Sequence, residues 1–225
     1  YQAATRRRDL LRNSYRVGRR AVERSEPFAF FIPPGQRDPG ATRKLVETLE
    51  FGMVEVERRE DGGYLIPMRQ PYSGFAKTLL EAQHYPDLRV YPGGPPKRPY
   101  DVTAHTLPLL MGVRVEAVDA PPPLAGSTTR PRALSGADTD SWKAVNRRWK
   151  TGGRVWRDMR TGDFSMDPRP GWKEIAKPRI GLYRGFVPVM DEGWTRWLLE
   201  HFGFDYASVG NREIRTGAVQ RKLDV

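Results

Sequence analysis

Chemistry at neutral pH draws first on histidine, cysteine, activated serine and paired carboxylates. This 225-residue sequence holds three histidines and no cysteine. A hydrolytic zinc site needs two imidazoles and a carboxylate on one metal, with a further glutamate as base. The usual local signature is His-x-x-Glu, and the chain has none. His84-Tyr85-Pro86-Asp87 comes nearest, and its proline makes it a loop turn. His105 falls inside a helix predicted after Asp101, and His201 lies on an apolar helix face, where it reads as a core histidine. Without cysteine there is no thiol catalysis, no disulfide and no Cys-ligated zinc. None of Ser14, Ser25, Ser73, Ser127, Ser135, Ser141, Ser165 and Ser208 sits in a Gly-x-Ser-x-Gly context. Asp191-Glu192 is a carboxylate pair at a helix start, where such residues serve the cap and the dipole. Gly93-Gly94-Pro95-Pro96 lacks the Lys-Ser/Thr and the strand-to-helix setting of a phosphate loop. We therefore assign no catalytic, cofactor-binding or metal-ligating residue within these 225 residues.

Positioning elements follow from the apolar periodicity. Residues 5–24 read as a helix, with Leu10, Leu11, Val17, Ala21 and Val22 at helical spacing among arginines. A stripe this narrow and basic needs something to dock on. Phe28-Ala29-Phe30-Phe31-Ile32 reads as a buried strand. Asp38-Pro39 starts a helix whose inner face is Leu45, Val46 and Leu49, with Gly52 as its stop. The alternation at Val54 and Val56 predicts a second strand and hence a right-handed βαβ unit. Asp61-Gly62-Gly63 is a turn before strand 64–67, and helix 72–81 turns Phe75, Leu79 and Leu80 inward. Asp101 opens a helix through Leu110, and Val113 and Val115 lead a further strand. Trp142, Val145 and Trp149 share a helix face ended by Gly152-Gly153. Val155-Trp156 and Phe164 read as short strands. Strand 180–183 and helix 191–202 then begin a second strand–helix unit, with Trp194, Trp197, Leu198 and His201 facing its sheet.

The fold class expected is α/β: two Rossmann-like three-layer pieces, the second incomplete. The organisation expected is a basic docking helix over 1–25, a first α/β domain over 26–120, a Pro/Gly-rich linker over 121–136 and a second α/β piece over 137–225. Leu223-Asp224-Val225 reads as the start of a strand whose remainder is missing. The absence of an initiator Met points to a chain cut from a longer one.

The formal net charge is +11, with Arg6, Arg7, Arg8, Arg12, Arg16, Arg19, Arg20 and Arg24 crowded near the N-terminus. Nucleic-acid or anionic-surface binding is one reading of that run. A solvated or docked helix face is the other, and it is preferred because no stacking aromatics interleave with the arginines. No stretch of about 18 apolar residues exists to span a membrane.

Several long phrases resemble a known family. Gln70-Pro71-Tyr72-x-Gly74-Phe75-Ala76-Lys77-x-Leu79-Leu80-Glu81, Tyr100-Asp101-Val102-Thr103-Ala104 and Leu107-Pro108-Leu109-Leu110-Met111-Gly112-Val113 look like the region after the catalytic domain in large bacterial zinc carboxypeptidases of the carboxypeptidase A-like type. Ile180-Gly181-Leu182-Tyr183 and Met190-Asp191-Glu192-Gly193-Trp194-Thr195-Arg196-Trp197 fit the opening of a class I glutamine amidotransferase-like domain in that setting. The resemblance covers nearly the whole chain. It implies a non-catalytic accessory segment of a secreted or periplasmic metallopeptidase. Zinc and the catalytic glutamate would reside in the parent's catalytic domain, which would also be the segment's partner, and peptide would be the parent's substrate. No residue here matches the zinc motif, so no catalytic role carries over. The alternatives are an anionic-ligand or nucleic-acid binding module and an inactive amidotransferase-like binding domain.

Overall fold

A computed structural model describes residues 2–82, 86–98, 106–125, 134–217 and 219–225. The chain divides into two compact units, residues 1–130 and 131–225. Among the described residues no helix is long and apolar enough to cross a membrane.

The first unit runs α1 (Gln2–Thr5), α2 (Arg7–Val22), β1 (Ala29–Ile32), α3 (Pro39–Phe51), β2 (Glu57–Arg58), β3 (Tyr64–Pro67), α4 (Ser73–Leu80), α5 (Leu107–Met111) and β4 (Glu116–Val118). Its four strands lie in the order β2-β3-β1-β4, and every neighbouring pair is antiparallel. β1 and β2 thus run in the same direction, but β2 is the exposed pair Glu57–Arg58 and not the Val54–Val56 segment expected, and β3 lies between the two strands. With a helical connection after β1 and another after β3, the path is the split βαββαβ arrangement of ferredoxin-like folds. The adjacent parallel strands of a Rossmann-like layer are not what this unit builds. The Asp61-Gly62-Gly63 turn explains the difference, because a tight hairpin returns β3 beside β2 before any second crossover can form.

Period-two alternation along β1 serves two faces. Phe30 and Ile32 join Ile66, Leu45, Val46, Leu49, Ala76 and Leu80 in the main core, while Ala29, Phe31 and Leu65 form a smaller cluster on the other face with Val118. Asp38 caps α3 by accepting the Ala41 N–H at 3.0 Å, and Pro39 occupies its first turn. Leu79 and Leu80 of α4 face the core, but Phe75 does not. Its ring lies over Gly52, where a Cβ would collide with it.

α2 has no buried residue, and Leu10, Leu11 and Val17 are 54%, 69% and 57% exposed. Its C-terminal end touches the unit at Ser73, whose hydroxyl donates to the Ala21 carbonyl at 3.3 Å.

The second unit begins with α6 (Asp140–Lys150), β5 (Val155–Arg157), β6 (Phe164–Ser165) and β7 (Lys173–Ile175). The strands form an antiparallel sheet ordered β6-β5-β7. Val145, Val155 and Phe164 are its buried centre, with Trp142 and Trp149 packed around them. This is the helix face the tryptophan spacing predicts. β8 (Ile180–Tyr183), α7 (Met190–Phe202) and β9 (Tyr206–Val209) follow, then α8 (Asn211–Arg215) and α9 (Val219–Lys222). β8 and β9 pair in parallel with Ile180 opposite Tyr206, so the unit does contain a βαβ element. Its second strand is β9, which lacks a clean apolar pattern and was not expected. The expected candidate, Leu223-Asp224-Val225, lies along the other edge of β8 instead. There the Gly181 N–H donates to the Val225 carbonyl at 2.8 Å, and the Arg179 carbonyl accepts the N–H groups of Asp224 at 2.8 Å and of Val225 at 3.5 Å, without a third strand being formed.

Candidate functional site

Parallel βαβ elements place their connecting loops at the carboxyl ends of the strands, and ligands of such sheets bind in the crevice there, where chain connections leave a strand in opposite directions. In the second unit the corresponding loop follows β8, at the carboxyl end of the parallel β8–β9 pair. The six residues Arg184–Val189 run from β8 into α7. Their first N–H, of Arg184, donates to the Val209 carbonyl at 2.8 Å. This bond fixes the loop's start on the end of β9.

The loop and the first two turns of α7 enclose an open crevice of about 290 Å³, lined by Arg184, Gly185, Val187, Pro188, Val189, Glu192 and Arg196. One turn apart on α7, Glu192 and Arg196 form a close ion pair. Arg196 also donates to the Tyr206 hydroxyl at 3.0 Å, and that hydroxyl donates to Glu200 at 2.6 Å. The bond to the Glu192 carboxylate raises the Arg196 pKa above its ordinary value. Donation to Glu200 does the same for the Tyr206 hydroxyl. Arg196 is therefore a fixed, compensated cation. Arg184 is exposed at the rim, and no carboxylate lies within ion-pair distance of it among the described residues. Two guanidiniums against one carboxylate leave the crevice with one net positive charge.

A second polar cluster, in the first unit, is structural. The Asp61 carboxylate is buried beside Arg59, at 3.5 Å, and accepts the N–H groups of Gly63 at 2.9 Å and Ala125 at 3.0 Å. Burial pushes its pKa up, but the two amides and Arg59 outweigh this and hold it below the ordinary value. Arg59 donates to the Pro122 carbonyl at 2.8 Å and lies over the Phe31 ring, 5.2 Å from its centroid. The pair thus ties residues 122–125 to the hairpin turn and to the smaller apolar cluster.

The residues weighed for chemistry are scattered. His84 and His105 lie outside the described residues. His201 is exposed on α7 and stacks on Trp197 with ring centroids 5.0 Å apart, so it is not the core histidine expected. Trp194, Trp197 and Leu198 are likewise 61%, 50% and 47% exposed. The face of α7 turned inward instead carries Glu192, Arg196 and Leu199. The polar network with β9 claims that side, and it overrides the apolar periodicity. Ser73 and Ser165 donate to backbone carbonyls, and no group of three or more His, Cys, Asp or Glu side chains forms a metal-binding cluster among the described residues. The described residues thus offer no ligand set that fits a catalytic zinc. Arg184, Arg196 and Tyr206 were not singled out by the sequence. The signal that could have found them is the loop between a strand and a helix in a βαβ element.

Comparison of the chain with protein-family models, with curated proteins and with solved structures gave no match in any of the three.

Proposed function

We propose that this chain is a non-catalytic accessory segment of a bacterial zinc carboxypeptidase, packing on the parent's catalytic domain to stabilise it or shape access to it. The observation that carries the reading is the pair of unpartnered apolar helix faces. Leu10, Leu11 and Val17 on α2, and Trp194, Trp197 and Leu198 on α7, are all about half exposed or more. Contiguous apolar surface of this kind marks a face meant for another protein surface. The identity of the partner rests on the phrases at 70–81, 100–113, 180–183 and 190–197. The parallel β8–α7–β9 element is compatible with reading this region as the opening of an amidotransferase-like sheet, since such sheets are built from βαβ units.

In this reading the parent hydrolyses C-terminal peptide bonds with a zinc-activated water outside these residues, and is exported. The test is reconstitution. The chain is mixed with a zinc carboxypeptidase catalytic domain encoded in the same reading frame, and thermal stability and peptide hydrolysis are followed. Complex formation that raises the catalytic domain's midpoint, and is lost in a Leu10→Ser, Leu11→Ser, Val17→Ser variant, is the expected result. A reading frame without such a domain, or a catalytic domain indifferent to the chain, overturns the reading.

A further inference from the structure

We infer that the crevice beyond β8 binds a small organic carboxylate carrying an apolar side chain, with Arg184 as the group that receives the carboxylate. Three observations meet there. The crevice lies in the strand-to-helix loop at the carboxyl end of β8 and the start of α7, the end of a parallel βαβ element on which ligands of α/β sheets bind. Its size of about 290 Å³ suits a single amino-acid-sized molecule. Its charge is divided unequally: Arg196 is spent on Glu192 and Tyr206, whereas Arg184 at the rim keeps its fork of donors for a ligand, the geometry that matches a carboxylate in two parallel bonds. A phosphate dianion would have to approach the Glu192 carboxylate that lines the same wall, so a single negative charge is favoured.

Val187, Pro188 and Val189 supply the crevice's apolar lining, and Val187 and Val189 are 69% and 55% exposed. Such side chains are the complement of an apolar ligand body, and burying them on binding supplies the favourable term that a solvent-facing ion pair lacks. The bond between the Arg184 N–H and the Val209 carbonyl sets the arginine's backbone against the strand ends, so only its side chain must order.

The ligand's biological source rests on the accessory-segment reading, because substrates and products of a carboxypeptidase carry a free α-carboxylate. The shared chemistry is that carboxylate next to an apolar side chain. The source is either a released amino acid, whose ammonium would face Glu192, or a peptide C-terminus.

The intact chain is titrated with N-acetylphenylalanine, free phenylalanine, N-acetylphenylalaninamide and inorganic phosphate, following the backbone amide resonances of Gly185 and Val189. Saturable binding of the acids at about millimolar concentration is expected, with the amide and phosphate at least about tenfold weaker. Arg184→Gln loses about tenfold or more with an unchanged melting midpoint, and Arg184→Lys loses less. Tighter binding of free phenylalanine than of its N-acetyl form assigns the source to released amino acids, and the reverse assigns it to peptide ends. Equal binding of acid and amide, phosphate binding as strong as that of the acids, no shift at 20 mM ligand, or an unaffected Arg184→Gln variant each overturn the inference. The readout needs no catalytic domain, so failure here and failure of the reconstitution are separate results.

Discussion

The carboxamide of Gln70 closes a two-way hydrogen bond with the backbone of Glu55. Its oxygen accepts the Glu55 N–H at 2.7 Å and its nitrogen donates to the Glu55 carbonyl at 3.1 Å. Gln70 is 1% exposed, so it substitutes for a strand neighbour inside the unit. Glu55 leads into β2, which is only two residues long, and this clamp compensates for the short ladder. Gln70→Ala leaves a buried donor and acceptor unpaired, and a loss of about 1–3 kcal/mol is expected by denaturant unfolding. Gln70→Glu keeps the acceptor but loses the donor and is expected to be no better at neutral pH. Full stability in Gln70→Ala would show the clamp to be ornamental.

Removing the Asp61 carboxylate leaves Arg59 without its counter-charge and the Gly63 and Ala125 N–H groups without their acceptor. Asp61→Ala is expected to cost about 3–5 kcal/mol, the range for breaking a buried ion pair. Because the folded-state pKa of Asp61 is depressed, its contribution is complete above the ordinary carboxylate range and declines as pH falls through the folded value. Wild-type stability should therefore fall more steeply than that of Asp61→Asn as the pH is taken below the ordinary carboxylate range, as urea midpoints measured on acidification will register.

A second acid-sensitive joint lies at the C-terminus. The Arg179 guanidinium and backbone N–H hold the Asp224 carboxyl down to about 2. Its folded pKa is lowered, so the attachment of residues 224–225 to β8 is intact above the ordinary value near 3.8 and is lost as pH falls toward about 2. Hydrogen exchange of the Gly181 amide at pH 4 and at pH 2 measures this directly. Equal protection at both, relative to a central amide such as Phe31, counts against the joint.

On α7 the tryptophans exchange a core role for a surface one. Trp197 is 50% exposed, so Trp197→Ala is expected to cost less than about 2 kcal/mol, where a fully buried aromatic costs about 3–5. A thermal midpoint lowered as far as that of Trp142→Ala, whose ring packs edge-on against Phe164, would place Trp197 in a core after all.

The comparison between sequence and structure turns on which interactions are local. Asp38-Pro39, the Leu45/Val46/Leu49 stripe and the Trp142/Val145/Trp149 face were legible because capping and helical spacing act within a few residues. The place of β3 between β1 and β2 was not, because pairing partners are chosen across the sheet and not along the chain. α7 shows the limit of periodicity: its most apolar stripe predicts the buried face, yet Arg196, bound to Glu192 and Tyr206, turns another stripe inward. The crevice was illegible for the same reason, since Arg184 is held against Val209 and Arg196 reaches Tyr206 only after β8 and β9 pair.

The strand order of the first unit also has a consequence in time. β1 is emitted first and ends between two neighbours, with Phe30 opposite Ile66 on one side and Ala117 on the other. At about 5–20 residues per second of synthesis, the β3 edge of β1 can close soon after its hairpin emerges, whereas its other edge must await Val118 for several seconds more. During that interval Ala29-Phe30-Phe31-Ile32 presents an uncharged, β-prone edge of the kind that recruits other chains. Production at low temperature, or with chaperones that shield extended apolar segments, should therefore raise the yield of native protein more than any change to its surface.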